Sequence, residues 1–258
     1  MKSISNHTKL IALCGKGGVG KTSISAMITR LLMTDSTRKV LVIDADPAIG
    51  LATALNVHVT KTVDDIRNDL ICSIKKGISG NRESFLSQID YEIFRAIEEY
   101  KNLAFMAIGR PETEGCYCKL NSFLKEMIQQ MTCSFDYVII DGEAGIEQVN
   151  RRVMDTITHL LLISDSSKKG IQVAESIAQV AQKNMNIHHK GLLINRIKDK
   201  SECQLISSSL PIIGYIFEDN DIYNFDRLGR SFFELPMSAA MNAVNSALNK
   251  FGIINNIK

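Results

Sequence analysis

The 258-residue sequence has no long run of apolar residues and no long block of basic residues. No apolar segment approaches the roughly 20 residues of a membrane-spanning helix, and residues 1–7 lack the apolar core of a signal peptide. We therefore expect a cytoplasmic protein. The 30 basic and 28 acidic residues give a net charge of +2, so charge offers no argument for nucleic acid or a membrane as partner.

Internal repeats, low-complexity linkers and a clear domain boundary are also absent from the sequence. This length is normal for one open α/β sheet, so residues 1–258 are predicted to form a single domain. The six cysteines are not expected to form a disulfide framework, because thiols stay reduced in the cytoplasm. Core, metal and redox roles remain for them.

What the sequence does contain is a glycine-rich loop, GKGGVGKTS, at residues 15–23. It follows an apolar run and precedes a segment, residues 23–34, whose apolar residues recur at helical spacing. Strand, loop and helix in this order predict a phosphate-binding loop, in which Lys21 reaches the outer phosphates and the Thr22 hydroxyl binds Mg²⁺. The predicted nucleotide-binding residues are Gly17, Gly18, Val19, Gly20, Lys21, Thr22 and Ser23. A glycine turn without a ligand is the alternative.

Acidic residues follow two further apolar runs. Residues 39–43 are predicted to form a buried strand that leads to Asp44 and Asp46, and residues 135–140 one that leads to Asp141. Ligands bind at the carboxyl ends of strands in an open parallel sheet, so these carboxylates are expected to face the phosphate-binding loop. Apolar residues that end in Asp form the Walker B pattern, which predicts that Asp141 holds Mg²⁺ through water. An ordinary strand-ending turn at Asp46 is the alternative.

The rest of the sequence alternates between strand-like and helical patterns. Further strands are predicted at residues 103–108, 159–164, 191–196 and 211–216, and helices at residues 120–131, 221–228 and 237–251 and in the segment after Lys169. Residues 62–100 carry a helical pattern that is interrupted at 76–80. The alternation predicts an α/β fold, a doubly wound and mostly parallel sheet of about seven or eight strands with helices on both faces.

Two features receive a purely structural interpretation. The apolar stripe of the helix at 237–251 is predicted to pack in the core, because the cationic flanks of a membrane-binding helix are missing. His188 and His189 are placed in the polar turn before residues 191–196. They are expected to be solvated, since no partner ligands accompany them.

Residues 109–118, GRPETEGCYC, follow the strand predicted at 103–108 and contain two of the cysteines. In an extended segment Cys116 and Cys118 point to the same side, which makes half of a four-thiolate metal site. A two-fold dimer would supply the other two thiolates. By itself the Cys-x-Cys pattern is equally compatible with two incidental cysteines.

Three motifs in this order resemble one family: the loop with Lys16 directly after its first glycine, the Cys-x-Cys segment, and the Asp141-Gly-Glu-Ala-Gly stretch. Along nearly its whole length the sequence resembles the CooC-type ATPases. They belong to the deviant P-loop class, together with ParA, MinD, the nitrogenase iron protein and the arsenite pump ATPase. The resemblance implies a homodimer that hydrolyses ATP and assists nickel insertion into carbon monoxide dehydrogenase, or serves the related acetyl-CoA synthase.

The resemblance also implies roles for single residues. Lys16 would reach the phosphates of the partner subunit, as an arginine finger does, and a solvated loop charge is the alternative. Asp46 would orient the attacking water, with Asp44 near the metal. Glu143 and Gly145 would belong to switch II, which senses the γ-phosphate.

Asn195 ends a predicted strand, where the family binds adenine through an asparagine; an ordinary asparagine turn is the alternative. Two positions depart from the family pattern. Gln148 stands where histidine is usual, and glutamine neither titrates nor ligates metal as imidazole does. Phe217 stands where proline is frequent, which predicts a different shape for the adenine pocket.

The resulting hypothesis is an ATP-driven metallochaperone with ATP and Mg²⁺ at the loop and Ni²⁺ or Zn²⁺ on Cys116 and Cys118 of two subunits, because four thiolates suit both metals. Two other classes stay open. A ParA- or MinD-like positioning ATPase would need a basic face or an amphipathic tail. An ATP-gated iron–sulfur electron donor would have a cysteine just after switch II, whereas the next cysteine after Asp141 is Cys203.

Overall fold

The structure, a computed structural model, describes residues 8–76, 89, 91–110, 118–142, 149 and 153–254, with only the backbone at 118 and 119. The strands are β1 (Lys9–Gly15), β2 (Val40–Asp44), β3 (Ile97–Tyr100), β4 (Leu103–Ala107), β5 (Tyr137–Asp141), β6 (Thr156–Ser164), β7 (Asn186–Ile197) and β8 (Ile212–Phe217). The helices are α1 (Lys21–Leu32), α2 (Gly50–Leu55), α3 (Val63–Lys75), α4 (Cys118–Thr132), α5 (Lys168–Asn184), α6 (Lys200–Leu205), α7 (Asn220–Arg227) and α8 (Ala239–Lys250).

The eight described strands form one sheet in the order β3-β4-β2-β5-β1-β6-β7-β8. Every neighbouring pair is parallel except β3 and β4. The predicted doubly wound, mostly parallel sheet is therefore confirmed. The chain leaves β1 toward β2 on one side and later returns to β6 on the other, so the topological switch point lies at the end of β1.

Helices cover both faces of the sheet, and each face has its own hydrophobic core. One core contains α3, α4 and α5, and the other contains α1, α2, α7 and α8. Along β1 the side chains alternate between the two cores, since Leu10 and Ala12 face one and Ile11 and Leu13 face the other. Burial on both faces explains why the central strands are continuous apolar runs.

The last helix packs into the core, as its sequence predicts. The stripe of α8 is at most 2% exposed at Ala240, Met241, Val244, Ala247 and Leu248. Within the described part of the chain, no helix has the length and apolar character needed to cross a membrane.

Residues 97–100 form a strand, so the helical prediction for this end of 62–100 is wrong. β3 runs antiparallel to β4 and is joined to it by a two-residue turn in which Lys101 has a φ of 56°. Hairpin pairing satisfies the backbone groups of one sheet edge. Such pairing overrides a local helical pattern because it depends on a neighbouring strand.

His188 and His189 lie inside β7, which corrects their placement in a turn before it. β6 and β7 both extend further toward their N-termini than predicted, and His189 is opposite His159 in their pairing. The rings of His159 and His189 stack with centroids 5.0 Å apart. His188 and His189 are exposed, as expected. The sequence pattern did not indicate this part of β7 because its residues are polar, and the solvated end of a strand does not need apolar residues.

Candidate active site

The glycine-rich loop connects the end of β1 to the start of α1, as its sequence predicts. Gly20 precedes α1 with a φ of 91°, a left-handed conformation that favours glycine. A Cβ atom on Gly20 would lie 2.5 Å from Nδ2 of Asn195, and one on Gly15 would lie 2.1 Å from the carbonyl oxygen of Ile163. Gly20 provides no side-chain cap for α1, so the first N–H groups of the helix suit an anion.

The side chain of Lys21 contacts the backbone of Lys16, the other lysine of the loop. Lys21 is the first residue of α1 and is 8% exposed. Its Nζ donates to the carbonyl oxygen of Lys16 over 3.4 Å, a long contact for an ammonium group with three donors. Lys16 itself is partly buried. The loop therefore places the positive charge of Lys21 at the start of a helix, where an anion is favoured.

Asp141, at the end of β5, contacts α1. The Ser25 hydroxyl donates a buried hydrogen bond of 2.9 Å to Oδ1 of Asp141. Oδ2 of Asp141 is buried and accepts no hydrogen bond of normal geometry from the described residues. Burial raises the pKa of this carboxyl group, and the nearby hydroxyl groups of Ser25 and Thr22 oppose the rise. An unpartnered carboxylate oxygen beside a hydroxyl suits Mg²⁺, which takes oxygen ligands. Asp141 and Thr22 therefore fit the group that the sequence predicts there.

Ser25 is a site residue that the sequence motifs did not indicate. It is fully buried on α1, one turn after Lys21, and its carbonyl oxygen accepts a hydrogen bond of 2.8 Å from Oγ1 of Thr29. Two small polar residues four positions apart in an apolar helix were the available signal. Buried hydroxyl groups need partners, and here Ser25 finds one on the neighbouring strand.

Asp44 lies at the end of β2, directly opposite Asp141 in the pairing of β2 with β5. Its two oxygens accept backbone hydrogen bonds from Asp46 at 3.1 Å and from Leu51 at 3.0 Å. Burial, followed by the charge of Asp141, raises the pKa of Asp44 to about 7. Burial also raises the pKa of Asp141 to about 6. A divalent cation beside the pair would stabilise both carboxylates in their charged forms.

The loop that carries Asp46 returns at once to the phosphate-binding region. Oδ1 of Asp46 accepts a hydrogen bond of 2.9 Å from the backbone N–H of Ala48. Ile49 then adopts a φ of 51°, which strains a β-branched residue. A Cβ atom on Gly50 would lie 3.7 Å from Cγ2 of Thr22. The strained loop therefore packs against the side chain predicted to bind Mg²⁺.

Asn195 lies near the end of β7 and contacts the phosphate-binding loop directly. Its Nδ2 donates a hydrogen bond of 2.8 Å to the carbonyl oxygen of Val19. The adenine contact expected for Asn195 stays a prediction. The bond to the loop is a separate feature, which no sequence motif indicated.

Several predicted residues lie outside the described part of the chain, namely Cys116, Glu143, Gly145 and Gln148. Cys118 is the first residue of α4, so the chain is helical there and not extended as assumed for the Cys-x-Cys pair, and its side chain is not described. Among the side chains that are described, no three His, Cys, Asp or Glu residues are arranged to hold a metal ion. The thiolate site on Cys116 and Cys118 therefore stays a prediction.

The phosphate-binding loop and the carboxylates Asp44, Asp46 and Asp141 lie within a segment that matches a known family. Residues 8–144 match the ArsA_ATPase family, which is described as anion-transporting ATPase. The chain belongs to this family. An uncharacterised ATP-binding protein of Methanocaldococcus jannaschii is 33% identical to this ATPase over 238 residues, which cover 88% of this chain and 91% of that protein.

More distant relatives of this ATPase have known roles. The carbon monoxide dehydrogenase accessory protein CooC of Rhodospirillum rubrum is 24% identical and covers 87% of this chain and 89% of its own length. The septum site-determining protein MinD of Bacillus subtilis is also 24% identical, over 90% of this chain and 84% of its own length. Sequence identity therefore does not separate these two roles.

Solved structures resemble this ATPase along most of the chain. MinD of Aquifex aeolicus aligns with a TM-score of 0.66 at 18% identity, covering 97% of this chain and 100% of its own. MinD of Pyrococcus horikoshii, solved with Mg-ADP, aligns with a TM-score of 0.64 at 18% identity, covering 94% and 95%. This ATPase therefore has the fold of the MinD and ParA proteins.

Proposed function

We propose that this ATPase is a homodimeric metallochaperone. It carries Ni²⁺ or Zn²⁺ on Cys116 and Cys118 of two subunits and assists nickel insertion into carbon monoxide dehydrogenase or a related nickel enzyme. The observation that carries the proposal is the Cys-x-Cys segment at residues 109–118, in a chain that has a CooC protein among its relatives. The whole chain, residues 1–258, is proposed to act as one cytoplasmic domain.

The chemistry of the segment supports a soft divalent cargo. Cys116 and Cys118 are two residues apart, with Cys118 at the start of α4, and a two-fold axis would double the two thiols to four. Four thiolates bind Zn²⁺ in a tetrahedral arrangement, and they also suit Ni²⁺. The metal is held between subunits, so its release requires the two copies to separate or rotate.

The residue before this segment is hydrogen-bonded to the backbone of Asp44, which supports a coupling between ATP and metal. The N–H of Ile108 donates a hydrogen bond of 2.8 Å to the carbonyl oxygen of Asp44. Gly109, with a φ of 84°, then turns the chain against Thr62, where a Cβ atom would lie 2.6 Å from the threonine Oγ1. A shift at Asp44 when ATP is hydrolysed would therefore act on the segment that carries the thiols.

The proposed hydrolysis uses the other predicted residues. Lys16 acts across the dimer on the phosphates of the partner, and Asp46 orients water. Glu143 and Gly145 respond to the γ-phosphate. Oxygen ligands at Thr22 and Asp141 suit Mg²⁺, which would neutralise developing phosphate charge when bound.

The test is an anaerobic titration with Ni²⁺ or Zn²⁺, followed by light scattering, first with ADP and then with a slowly hydrolysed ATP analogue. We expect one tightly bound metal ion per dimer and a metal affinity that depends on the nucleotide. Replacing Cys116→Ser together with Cys118→Ser should abolish tight metal binding while ATP binding persists. Retention of one metal ion per dimer in that variant would contradict the proposal.

The matched control is Cys72→Ser together with Cys133→Ser. Both of these cysteines are exposed and lie outside the Cys-x-Cys segment. This variant removes the same number of thiols, so it should keep the metal stoichiometry of the wild-type protein. Loss of metal in the control would mean that the assay reports exposed thiols in general.

A positioning ATPase of the MinD type is the second candidate, because MinD of Bacillus subtilis and CooC have the same 24% identity to this chain. Nucleotide-dependent dimerisation without any bound metal would favour this candidate. Brown colour and iron in an anaerobic preparation would instead favour the iron–sulfur donor.

A further inference from the structure

A single hydrogen bond joins the end of β7 to the phosphate-binding loop. Nδ2 of Asn195 donates a hydrogen bond of 2.8 Å to the carbonyl oxygen of Val19, which is 176 residues away in the sequence. Asn195 is partly buried, and its Oδ1 accepts no hydrogen bond from the residues that the structure describes. The bond therefore uses the donor half of the amide and fixes which way the side-chain amide faces.

The backbone has unusual features on both sides of this bond. The pairing of β7 with β8 shifts register between Ile194 and Ile197, so Asn195 lies in an irregular part of the strand. Arg196 there adopts a φ of 59°, an uncommon conformation for a residue with a side chain. On the loop side, Gly20 leaves the space that the Asn195 amide occupies, since a Cβ atom would lie 2.5 Å from Nδ2.

The bond has a direct consequence for the N–H groups of the loop. In a trans peptide the C=O and the N–H point in opposite directions. When the carbonyl of Val19 is held toward Asn195, the N–H of Gly20 in the same peptide points away from β7. A phosphate-binding loop holds an anion with backbone N–H groups, and the N–H of Gly20 is free to serve as one of them when it points away from β7.

We infer that Asn195 is a positioning residue, which holds the Val19–Gly20 peptide in the orientation that binds phosphate. This inference concerns ATP binding alone and stands whether or not Cys116 and Cys118 carry a metal. This positioning role differs from the predicted adenine contact, because it affects the binding of the phosphates and does not require a base. A ligand that has phosphates but no base separates the two roles.

The experiment compares the binding of Mg·tripolyphosphate and Mg·ATP by isothermal titration calorimetry. Asn195→Ala removes the donor, and loss of one hydrogen bond should weaken tripolyphosphate binding by about fivefold or more. Asn242→Ala is the matched control, an exposed asparagine on α8, and should bind like the wild-type protein. Unchanged tripolyphosphate affinity in Asn195→Ala, with ATP weakened, would overturn the inference and leave Asn195 with the base alone.

A second pair of variants tests the same idea without touching Asn195 or the loop. Arg196→Gly and Arg196→Val remove the same exposed charge, but only glycine tolerates the positive φ. We expect Arg196→Val to shift Asn195 and weaken tripolyphosphate binding relative to Arg196→Gly. Equal tripolyphosphate affinity in the two variants would contradict the positioning role of Asn195, even if Asn195→Ala does not fold.

Discussion

Asp44 and Asp141 are opposite residues of the parallel strands β2 and β5, and their side chains are almost completely buried at 0% and 1% exposure. The same sheet register also joins their neighbours, since the N–H of Ala45 donates a hydrogen bond of 2.9 Å to the carbonyl oxygen of Asp141. Two buried carboxyl groups in this relation resist being charged together. The site is therefore suited to a proton or a cation next to these two groups.

Stability of the nucleotide-free protein should fall as pH rises from about 4 to about 7. The pKa of Asp44 is raised from 3.8 to about 7 in the folded state, so the folded protein binds this proton more tightly than the unfolded chain. The stabilising contribution is complete below the unfolded pKa and is lost as pH passes the folded pKa. Its size is on the order of 3 kcal/mol. Urea denaturation with EDTA at several pH values measures it.

The variant Asp44→Asn removes this titration. We expect a flatter dependence of the free energy of unfolding on pH over the same range, although the variant is less stable overall because an amide cannot accept both backbone bonds. A variant with the same slope as the wild-type protein would show that Asp44 does not titrate in this range.

Ser25→Ala should weaken Mg²⁺ binding, because the Ser25 hydroxyl orients the carboxyl group of Asp141. We expect the Mg²⁺ concentration needed to tighten ADP binding to rise about tenfold, on the basis of one hydrogen bond to a charged group. ADP affinity without Mg²⁺ should hardly change. Calorimetric ADP titrations at a series of Mg²⁺ concentrations give both quantities.

Thr29→Val is the control for Ser25→Ala. It removes a hydroxyl from the same buried face of α1, but this hydroxyl bonds to the Ser25 carbonyl and not to a carboxylate. Its Mg²⁺ requirement should match that of the wild-type protein. Equal Mg²⁺ requirements in Ser25→Ala and Thr29→Val would rule out the orienting role.

Gly20→Ala and Gly17→Ala should differ sharply although both add one methyl group to the same loop. At Gly20 the φ of 91° and the Asn195 amide at 2.5 Å both oppose a Cβ atom, whereas a Cβ atom on Gly17 meets nothing within 4 Å. We expect Gly20→Ala to lower the free energy of unfolding by at least about 2 kcal/mol and Gly17→Ala to leave it unchanged or slightly raised. Urea denaturation of both variants without nucleotide provides the measurement, and equal losses would contradict the loop geometry.

His159 should make the protein sensitive to acid. Burial, followed by the neighbouring His189, Lys9 and His188, lowers the pKa of His159 from 6.5 to about 4. The folded protein therefore binds this proton less tightly than the unfolded chain, and stability is lost as pH falls from about 6.5 to about 4. The loss is on the order of 2–3 kcal/mol and opposes the effect of Asp44.

His159→Phe should reduce this acid-induced loss, because phenylalanine keeps an aromatic ring next to His189 and does not titrate. Thr158 retains its bonds to the backbone of Leu10 when its contact with the imidazole is removed. Urea denaturation between pH 4 and 7 measures the difference, and His58→Gln is the control at an exposed histidine. An acid-induced loss as large as that of the wild-type protein would exclude His159 as its source.

Much of the fold and part of the site could be predicted because their signals are local. The phosphate-binding loop is a contiguous strand, loop and helix, and each buried strand is a continuous apolar run. Asp44 and Asp141 end two such runs, and parallel strands carry their carboxyl ends to one edge of the sheet. Sequence by itself therefore determined the sheet type, the loop and the edge where the carboxylates meet.

Only the tertiary structure decided how these parts contact one another. Ser25 and Asp141 are 116 residues apart in sequence, and Asn195 and Val19 are 176 residues apart, so no local pattern records either bond. Residues 97–100 became a strand and His189 came to stack on His159 for the same reason. A hydrogen bond or a strand pairing needs a partner at a particular distance and in a particular direction. Residues that are distant in sequence reach such positions only when the sheet assembles.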